Sequence, residues 1–111
     1  RWAADRGASV AVVTALLAAH GAVEAYAFRD CRALKTISIP EPVQEIGEGA
    51  FNGCFALKTI TLPASVQEIC ECAFFDCSAL KSITLPRSLE GQMESASLTT
   101  RFIPGLSVTF T

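Results

Sequence analysis

The sequence predicts an α/β repeat solenoid, in which short strands stack into a parallel sheet that follows one amino-terminal helix. Three observations predict this fold: a tandem repeat with a period of 23 residues, a strand pattern within each repeat, and helical spacing of apolar residues before the first repeat. A fixed period of this length is typical of stacked repeats, because each unit can bury its apolar face only against its neighbours.

The repeat occurs three times with the same residue types at the same positions. Phe28, Phe51 and Phe74 each follow an alanine and lie 23 residues apart. The same interval separates the members of five further columns: Cys31, Cys54 and Cys77; Leu34, Leu57 and Leu80; Lys35, Lys58 and Lys81; Ile37, Ile60 and Ile83; Pro40, Pro63 and Pro86. We therefore assign residues 23–111 to one solenoid and residues 1–22 to a separate segment.

The last copy of the repeat is degenerate and has lost its Phe, Cys, Lys and Pro. In a strict 23-residue register, Ala96, Ile103, Leu106 and Val108 take the places of Ala73, Leu80, Ile83 and Leu85. A terminal repeat has only one neighbour, so its divergence predicts a carboxy-terminal cap.

Each repeat contains one clear strand and one shorter extended segment. Ile37 and Ile39 alternate with polar residues, which predicts a strand that ends at Pro40, since proline has no N–H for a ladder. Val43 and Ile46 bound the second extended segment, and residues 48–54 turn the chain back. Strands in constant register then stack into a parallel sheet at about 4.8 Å per repeat.

The unit that runs from Pro63 through Val66, Ile69, Ala73-Phe74, Cys77, Leu80, Lys81 and Ile83 to Pro86 resembles the BspA-like leucine-rich repeat. The resemblance implies a curved, right-handed solenoid used for adhesion and protein recognition, with no catalytic residues of its own. The chain departs from the pattern where Cys70 and Cys72 replace Gly47 and Gly49. Cysteine tolerates positive φ badly, so we expect that these two positions do not both require it.

The first 22 residues do not follow the repeat. Val10, Val13, Leu16 and Leu17 lie at helical spacing, which predicts a helix over residues 8–19. This segment resembles the latter part of an ankyrin repeat; the alternative is a plain amphipathic helix that caps the solenoid.

Composition excludes several classes of partner and location. The net charge of -2 argues against nucleic acid and anionic lipid, and no apolar run is long enough to span a bilayer. Five cysteines, an odd number, favour a reducing and therefore intracellular location, whereas the family resemblance allows a cell-surface one. We expect a monomer.

No group of residues predicts an enzyme, a cofactor or a metal site. His20 is the only histidine, and no nucleophile or acid accompanies it. Cys70, Cys72 and Cys77 have the spacing C-x-C-x4-C, which lacks the fourth ligand of a zinc site. Cys31, Cys54 and Cys77 are expected to form a column of buried thiols.

The predicted binding face is the outward side of the sheet. Inward-pointing isoleucines imply that the residues on either side of them point outward, since side chains alternate along a strand. With the neighbouring lysines, the predicted protein-binding residues are Lys35, Thr36, Ser38, Lys58, Thr59, Thr61, Lys81, Ser82 and Thr84. We expect an unidentified protein to bind this concave side; the alternatives are solvated lysines without a partner, a structural spacer in a longer ankyrin and leucine-rich protein, or a cell-surface adhesin. Glu45 and Glu68 form an acidic column elsewhere on the coil.

Overall fold

Each repeat forms one coil of a β-solenoid in a computed structural model, which describes residues 21–111. These residues form seven strands and one short 3-10 helix. The elements are β1 (Ala22–Val23), β2 (Thr36–Ser38), β3 (Glu45–Ile46), β4 (Thr59–Thr61), β5 (Glu68–Ile69), β6 (Ser82–Leu85), the 3-10 helix (Arg87–Gln92) and β7 (Ser107–Phe110).

The strands form two parallel sheets on different sides of the coil. Strands β2, β4, β6 and β7 make one sheet in that order, and β1, β3 and β5 make the other. Within the repeats each strand pairs with its equivalent one period later, as when Ile37 faces Ile60 and Ile60 faces Ile83. The predicted parallel sheet and the second extended segment are both confirmed.

The described residues form a β-solenoid without an α-helix, and the helix that made the predicted class α/β lies outside them. The chain between one strand and the next runs through successive turns instead of a helix. The Phe51 N–H donates to the Ala73 carbonyl of the next coil at 2.8 Å, and Phe28 and Phe74 make the same bond to Ala50 and Ala96. The N–H groups that bond to the next coil are not available for the i to i−4 bonds of an α-helix. The N–H groups between them bond three residues back, as that of Arg29 does to the Tyr26 carbonyl at 3.2 Å.

The predicted helix over residues 8–19, His20 and most of the ankyrin-like segment lie outside the described residues.

The core consists of apolar columns, each covered by the coil above and below. Phe51 is fully buried, and its ring stacks between those of Phe28 and Phe74 with centroids 5.1 and 5.2 Å apart. The rings are nearly parallel, because repeat symmetry gives each phenylalanine the same orientation. Stacked aromatic pairs contribute about 0.5–1.5 kcal/mol beyond their burial.

One of the two glycine positions that cysteine replaces does require positive φ. Tyr26, Gly49 and Cys72 share a column and have φ values of 58°, 60° and 56°. Cys70 and Gly47, in the other column, do not have positive φ, which agrees with the expectation that the two positions differ. Cysteine was expected to avoid positive φ, and Cys72 nevertheless adopts it. Its N–H donates to the Ser95 carbonyl at 2.8 Å, and this bond holds Cys72 in the left-handed region.

The last coil is longer than the others by two residues. Ser107 faces Ser82, Val108 faces Ile83 and Phe110 faces Leu85, an interval of 25. The expectation that Leu106 and Val108 take the places of Ile83 and Leu85 is therefore wrong. The Ala96 carbonyl still accepts from Phe74 N–H at 3.1 Å, so the extra residues fall between positions 96 and 107, where turns accommodate them.

Candidate functional site: a hydroxyl face with a lysine ladder

The outward side of the four-stranded sheet carries only hydroxyl side chains. The strand register aligns them in two columns, which are Thr36, Thr59, Ser82 and Ser107 in one and Ser38, Thr61, Thr84 and Thr109 in the other. Most are exposed, while Ser82 and Thr84 are half-buried. We call these eight residues the hydroxyl face. It arises because an inward apolar residue lies between the two hydroxyl residues of each strand.

The repeat pattern did not predict two members of the hydroxyl face, Ser107 and Thr109. Both lie on β7, whose two-residue offset hid their equivalence to Ser82 and Thr84. The pattern Ser-Val-Thr at residues 107–109 repeats Ser-Ile-Thr at residues 82–84. Matching that tripeptide, instead of counting the period, is the signal that would have found them.

Three lysines lie along one edge of the hydroxyl face. The Lys58 N–H donates to the Lys35 carbonyl and the Lys81 N–H to the Lys58 carbonyl, each at 2.9 Å, so the three residues form a ladder with one rung per coil. All three side chains are exposed. Within residues 21–111, no carboxylate oxygen lies within 4.0 Å of their ammonium groups. The nine predicted site residues therefore do lie together on one surface.

Four glutamates lie on another side of the coil, which we call the glutamate band: Glu45, Glu48, Glu68 and Glu71. Glu45 pairs with Glu68 in the three-stranded sheet, and the Glu71 carbonyl accepts from Gly49 N–H at 3.1 Å, which aligns Glu71 with Glu48. All four side chains are exposed. Among the described residues, none of them forms a salt bridge. The sequence predicted Glu45 and Glu68 as a column and missed the other two.

Two neutral groups donate hydrogen bonds to the glutamate band. The Cys70 thiol donates to Glu45 Oε2 at 3.3 Å, and the Tyr26 hydroxyl donates to Glu48 Oε2 at 3.2 Å. Partial burial, the bond to Glu45 and the nearby glutamates raise the pKa of Cys70 to about 11. The charge of Glu48 likewise raises the pKa of Tyr26. Both donors therefore keep their protons at neutral pH.

The metal-ligand set considered from the sequence does not assemble within residues 21–111. There, the set of ligating atoms that does lie close together comes from Glu45, Glu68 and Cys70, which are within 4.8 Å of one another. Cys72 and Cys77 are not part of it. The Cys70 thiol is occupied as a donor to Glu45 and is not the thiolate that metals prefer.

The predicted column of buried thiols is confirmed, because Cys31, Cys54 and Cys77 all lie in the core. The Cys54 and Cys77 thiols each donate to the phenylalanine carbonyl of the preceding coil at 3.1 Å. Burial raises the pKa of Cys77 to about 12. These thiols act as small apolar residues that also satisfy a backbone acceptor.

Exposed aromatic side chains form a further surface feature that the repeat pattern did not predict. Each pairs with an arginine or lies at a position where other repeats have a polar residue: Tyr26 under Arg29, Phe55 under Arg32, Phe102 under Arg101, and Phe75 in the column of Asn52. Guanidinium groups 5.3–5.7 Å from the ring centroids shield part of this apolar surface.

Within residues 21–111, no helix has the length and apolar character needed to cross a membrane.

Two solved structures of leucine-rich repeat proteins are similar to this chain. The leucine-rich repeat protein TpLRR from T. pallidum, known from a crystal structure, shares 42% sequence identity with this chain, with a TM-score of 0.58. The match covers 60% of this chain and 31% of the TpLRR chain. A leucine-rich repeat protein from Bacteroides ovatus shares 25% sequence identity with this chain, with a TM-score of 0.48. The match covers 81% of this chain and 28% of the Bacteroides ovatus chain. The chain thus spans about a third of the length of these proteins. No curated protein matches it significantly.

The family comparison covers most of the solenoid. The family model for the BspA-type leucine-rich repeat region matches residues 19–103 in six copies. Together with the parallel strands and the repeated Ala-Phe, Cys, Leu and Ile columns, this match places the chain in the BspA-type leucine-rich repeat family.

Proposed function

We propose that this chain is a protein-interaction module whose partner binds the hydroxyl face and the lysine ladder. One observation carries the proposal: three lysines without a carboxylate partner in residues 21–111 border eight aligned hydroxyl groups. The family comparison supports a repeat protein of a type that commonly serves in recognition. We also propose that the module works without catalysing a reaction.

The chemistry of the face favours a polar, carboxylate-bearing partner. A hydroxyl group can donate and accept hydrogen bonds, so it can pair with backbone and side-chain groups of a protein surface. Each neutral bond contributes only about 0.5–1.5 kcal/mol, which means that affinity must come from several coils at once. The parallel sheet supplies this condition, because equivalent hydroxyls recur at one strand spacing.

The lysine ladder adds orientation and speed of association more than affinity. An exposed ion pair contributes about 0.2–1 kcal/mol, whereas complementary charges raise the association rate. The net charge of -2 does not prevent this, since charges beyond about 8 Å are screened at physiological salt. We therefore propose that the face attracts acidic partners although the whole chain is weakly acidic.

The proposal is tested with the chain as bait in a pull-down, followed by kinetics with the captured partner. The variant K35E/K58E/K81E should fold normally and associate at least tenfold more slowly at low salt, with a weaker salt dependence. The variant R87E serves as a control, because Arg87 is exposed but stacks on Phe110, away from the ladder.

Equal association rates for the wild type and the triple lysine variant at low salt would show that the ladder is ordinary solvated surface. Failure to capture any partner under conditions where the chain is folded would favour the alternative role of a structural spacer.

A further inference from the structure

The lysine ladder and the glutamate band have opposite charge and the same spacing. Both follow the solenoid, so consecutive rungs of each are one coil apart, about 4.8 Å. Backbone hydrogen bonds hold the ladder at this spacing, and the pairing of β3 with β5 holds the band. An unrelated acidic protein does not in general present carboxylates at this interval, whereas a second copy of this chain presents them at the same interval as the lysines.

Within residues 21–111 the two surfaces form no salt bridge with each other. The lysines immediately precede the strands of the four-stranded sheet, whereas the glutamates lie on and just after the strands of the three-stranded sheet. Among the described residues, the salt bridges join Arg29 to Asp30 and Arg101 to Glu94 and involve neither surface. Both surfaces are exposed, so each is open to a second molecule.

We propose that two copies of this chain associate side by side, with the lysine ladder of one against the glutamate band of the other. This rests on the proposed function, because it names a second copy as the carboxylate-bearing partner of the same face. Matching spacing lets several pairs form at once, in whichever direction the two solenoid axes run. Each contact leaves a free ladder at one end and a free band at the other, so further copies can add.

The association is weak and depends strongly on salt. It consists of exposed ion pairs, each of which contributes little. The Debye screening length is about 30 Å at 0.01 M salt and falls to about 3 Å at 1 M, so high salt weakens these pairs strongly. Dilute chain at physiological salt is therefore mostly monomeric. Association becomes substantial when many copies are concentrated, as on a surface or within an assembly.

Sedimentation velocity on the purified chain tests the inference with variants that neutralise one surface at a time without reversing its charge. At about 0.01 M salt, the mean mass of the wild type should rise with concentration, and at about 1 M it should return to that of the monomer. Both K35Q/K58Q/K81Q and E68Q/E71Q should lower the association constant roughly tenfold or more. The matched control E41Q/E90Q removes two exposed glutamates outside the band and should behave as wild type.

Mixing the two deficient variants provides the decisive measurement. K35Q/K58Q/K81Q retains the band, and E68Q/E71Q retains the ladder, so an equimolar mixture should form one-to-one complexes that neither variant forms alone. Circular dichroism of each variant must match that of the wild type.

A wild type that stays monomeric at low salt, or a mixture that forms no complex, would overturn the inference. If a different protein is then captured through the lysine ladder, the proposed function stands while the second copy is excluded as its partner. Self-association that E41Q/E90Q weakens as much as E68Q/E71Q would also overturn the inference, since the band would have no special part in it.

Discussion

The thiol of Cys54 donates a hydrogen bond to the carbonyl oxygen of Phe28, with 3.1 Å between Sγ and the oxygen. Cys77 makes the same bond to Phe51 one coil later. The Phe28 and Phe51 carbonyls also accept from the N–H groups of Cys31 and Cys54 at 3.2 Å. The thiol column thus links each coil to the preceding one at the turn where the buried phenylalanines lie, and it has consequences for reactivity and for pH dependence.

Thiol labelling of the native chain should be slow and incomplete. Cys31, Cys54 and Cys77 are buried, and reaction requires the thiolate, which burial disfavours. Cys70 is partly accessible, but its raised pKa of about 11 also slows its reaction at neutral pH. We expect Cys72 to react first and all five thiols to react in denaturant. Rapid native labelling of Cys54 or Cys77, followed by mass spectrometry of the peptides, would contradict the buried column.

The stability of the fold should decline above pH 9 in a way that depends on Cys77. Its pKa rises from 9.0 to about 12 on folding, so the unfolded chain loses this proton first as the pH increases. The free energy of unfolding contributed by this group is therefore fully present below pH 9 and is lost between pH 9 and about 12. Urea unfolding at several pH values measures the decline. The variant C77S keeps a donor without a group that titrates there, and its curve should be flatter; equal slopes for both proteins would contradict the assignment.

Removal of the central ring of the phenylalanine stack should be severely destabilising. Phe51→Ala empties a fully buried aromatic site, which typically costs about 3–5 kcal/mol. Phe55→Ala is the matched control, because Phe55 is 43% exposed and its ring lies under the Arg32 guanidinium; we expect it to cost under about 1 kcal/mol. Denaturant unfolding compares the two. A cost below about 1 kcal/mol for Phe51→Ala would show that the stack is not part of the core.

Replacement of Cys72 by glycine should stabilise the chain, although it removes a side chain. A non-glycine residue in the left-handed region costs roughly 1–2 kcal/mol, and glycine gives back about 0.5–1 kcal/mol through its freedom in the unfolded state. The expected net gain is about 0.5–1 kcal/mol for Cys72→Gly.

Cys70→Gly is the control for that measurement, since Cys70 lies two residues away and lacks positive φ. It should destabilise by about 0.5–1 kcal/mol through glycine entropy and also lose the bond to Glu45. Differential scanning calorimetry of both variants shows the sign directly. A loss of stability in Cys72→Gly would mean that the contacts of its side chain outweigh the backbone strain.

The repeat predicted most residues of the candidate site but not those on the last strand. The six hydroxyl residues of β2, β4 and β6 could be predicted because Ile37, Ile60 and Ile83 had to point inward, which sends Thr36, Ser38 and their equivalents outward by strand alternation. The three lysines followed from the period. Ser107 and Thr109 were missed because the period changes to 25 in the last coil. An insertion of two residues preserves alternation along β7 but not the count on which the register was based.

The sequence by itself determined the period, the inward columns and the parallel stacking, because these follow from side chains that recur at constant intervals and must cover one another. Only the tertiary structure decided the register of β7 and the backbone conformation of Cys72. Each of these depends on hydrogen bonds between coils, such as that from Cys72 N–H to Ser95, whose partners are set by how the coils stack and not by local preference.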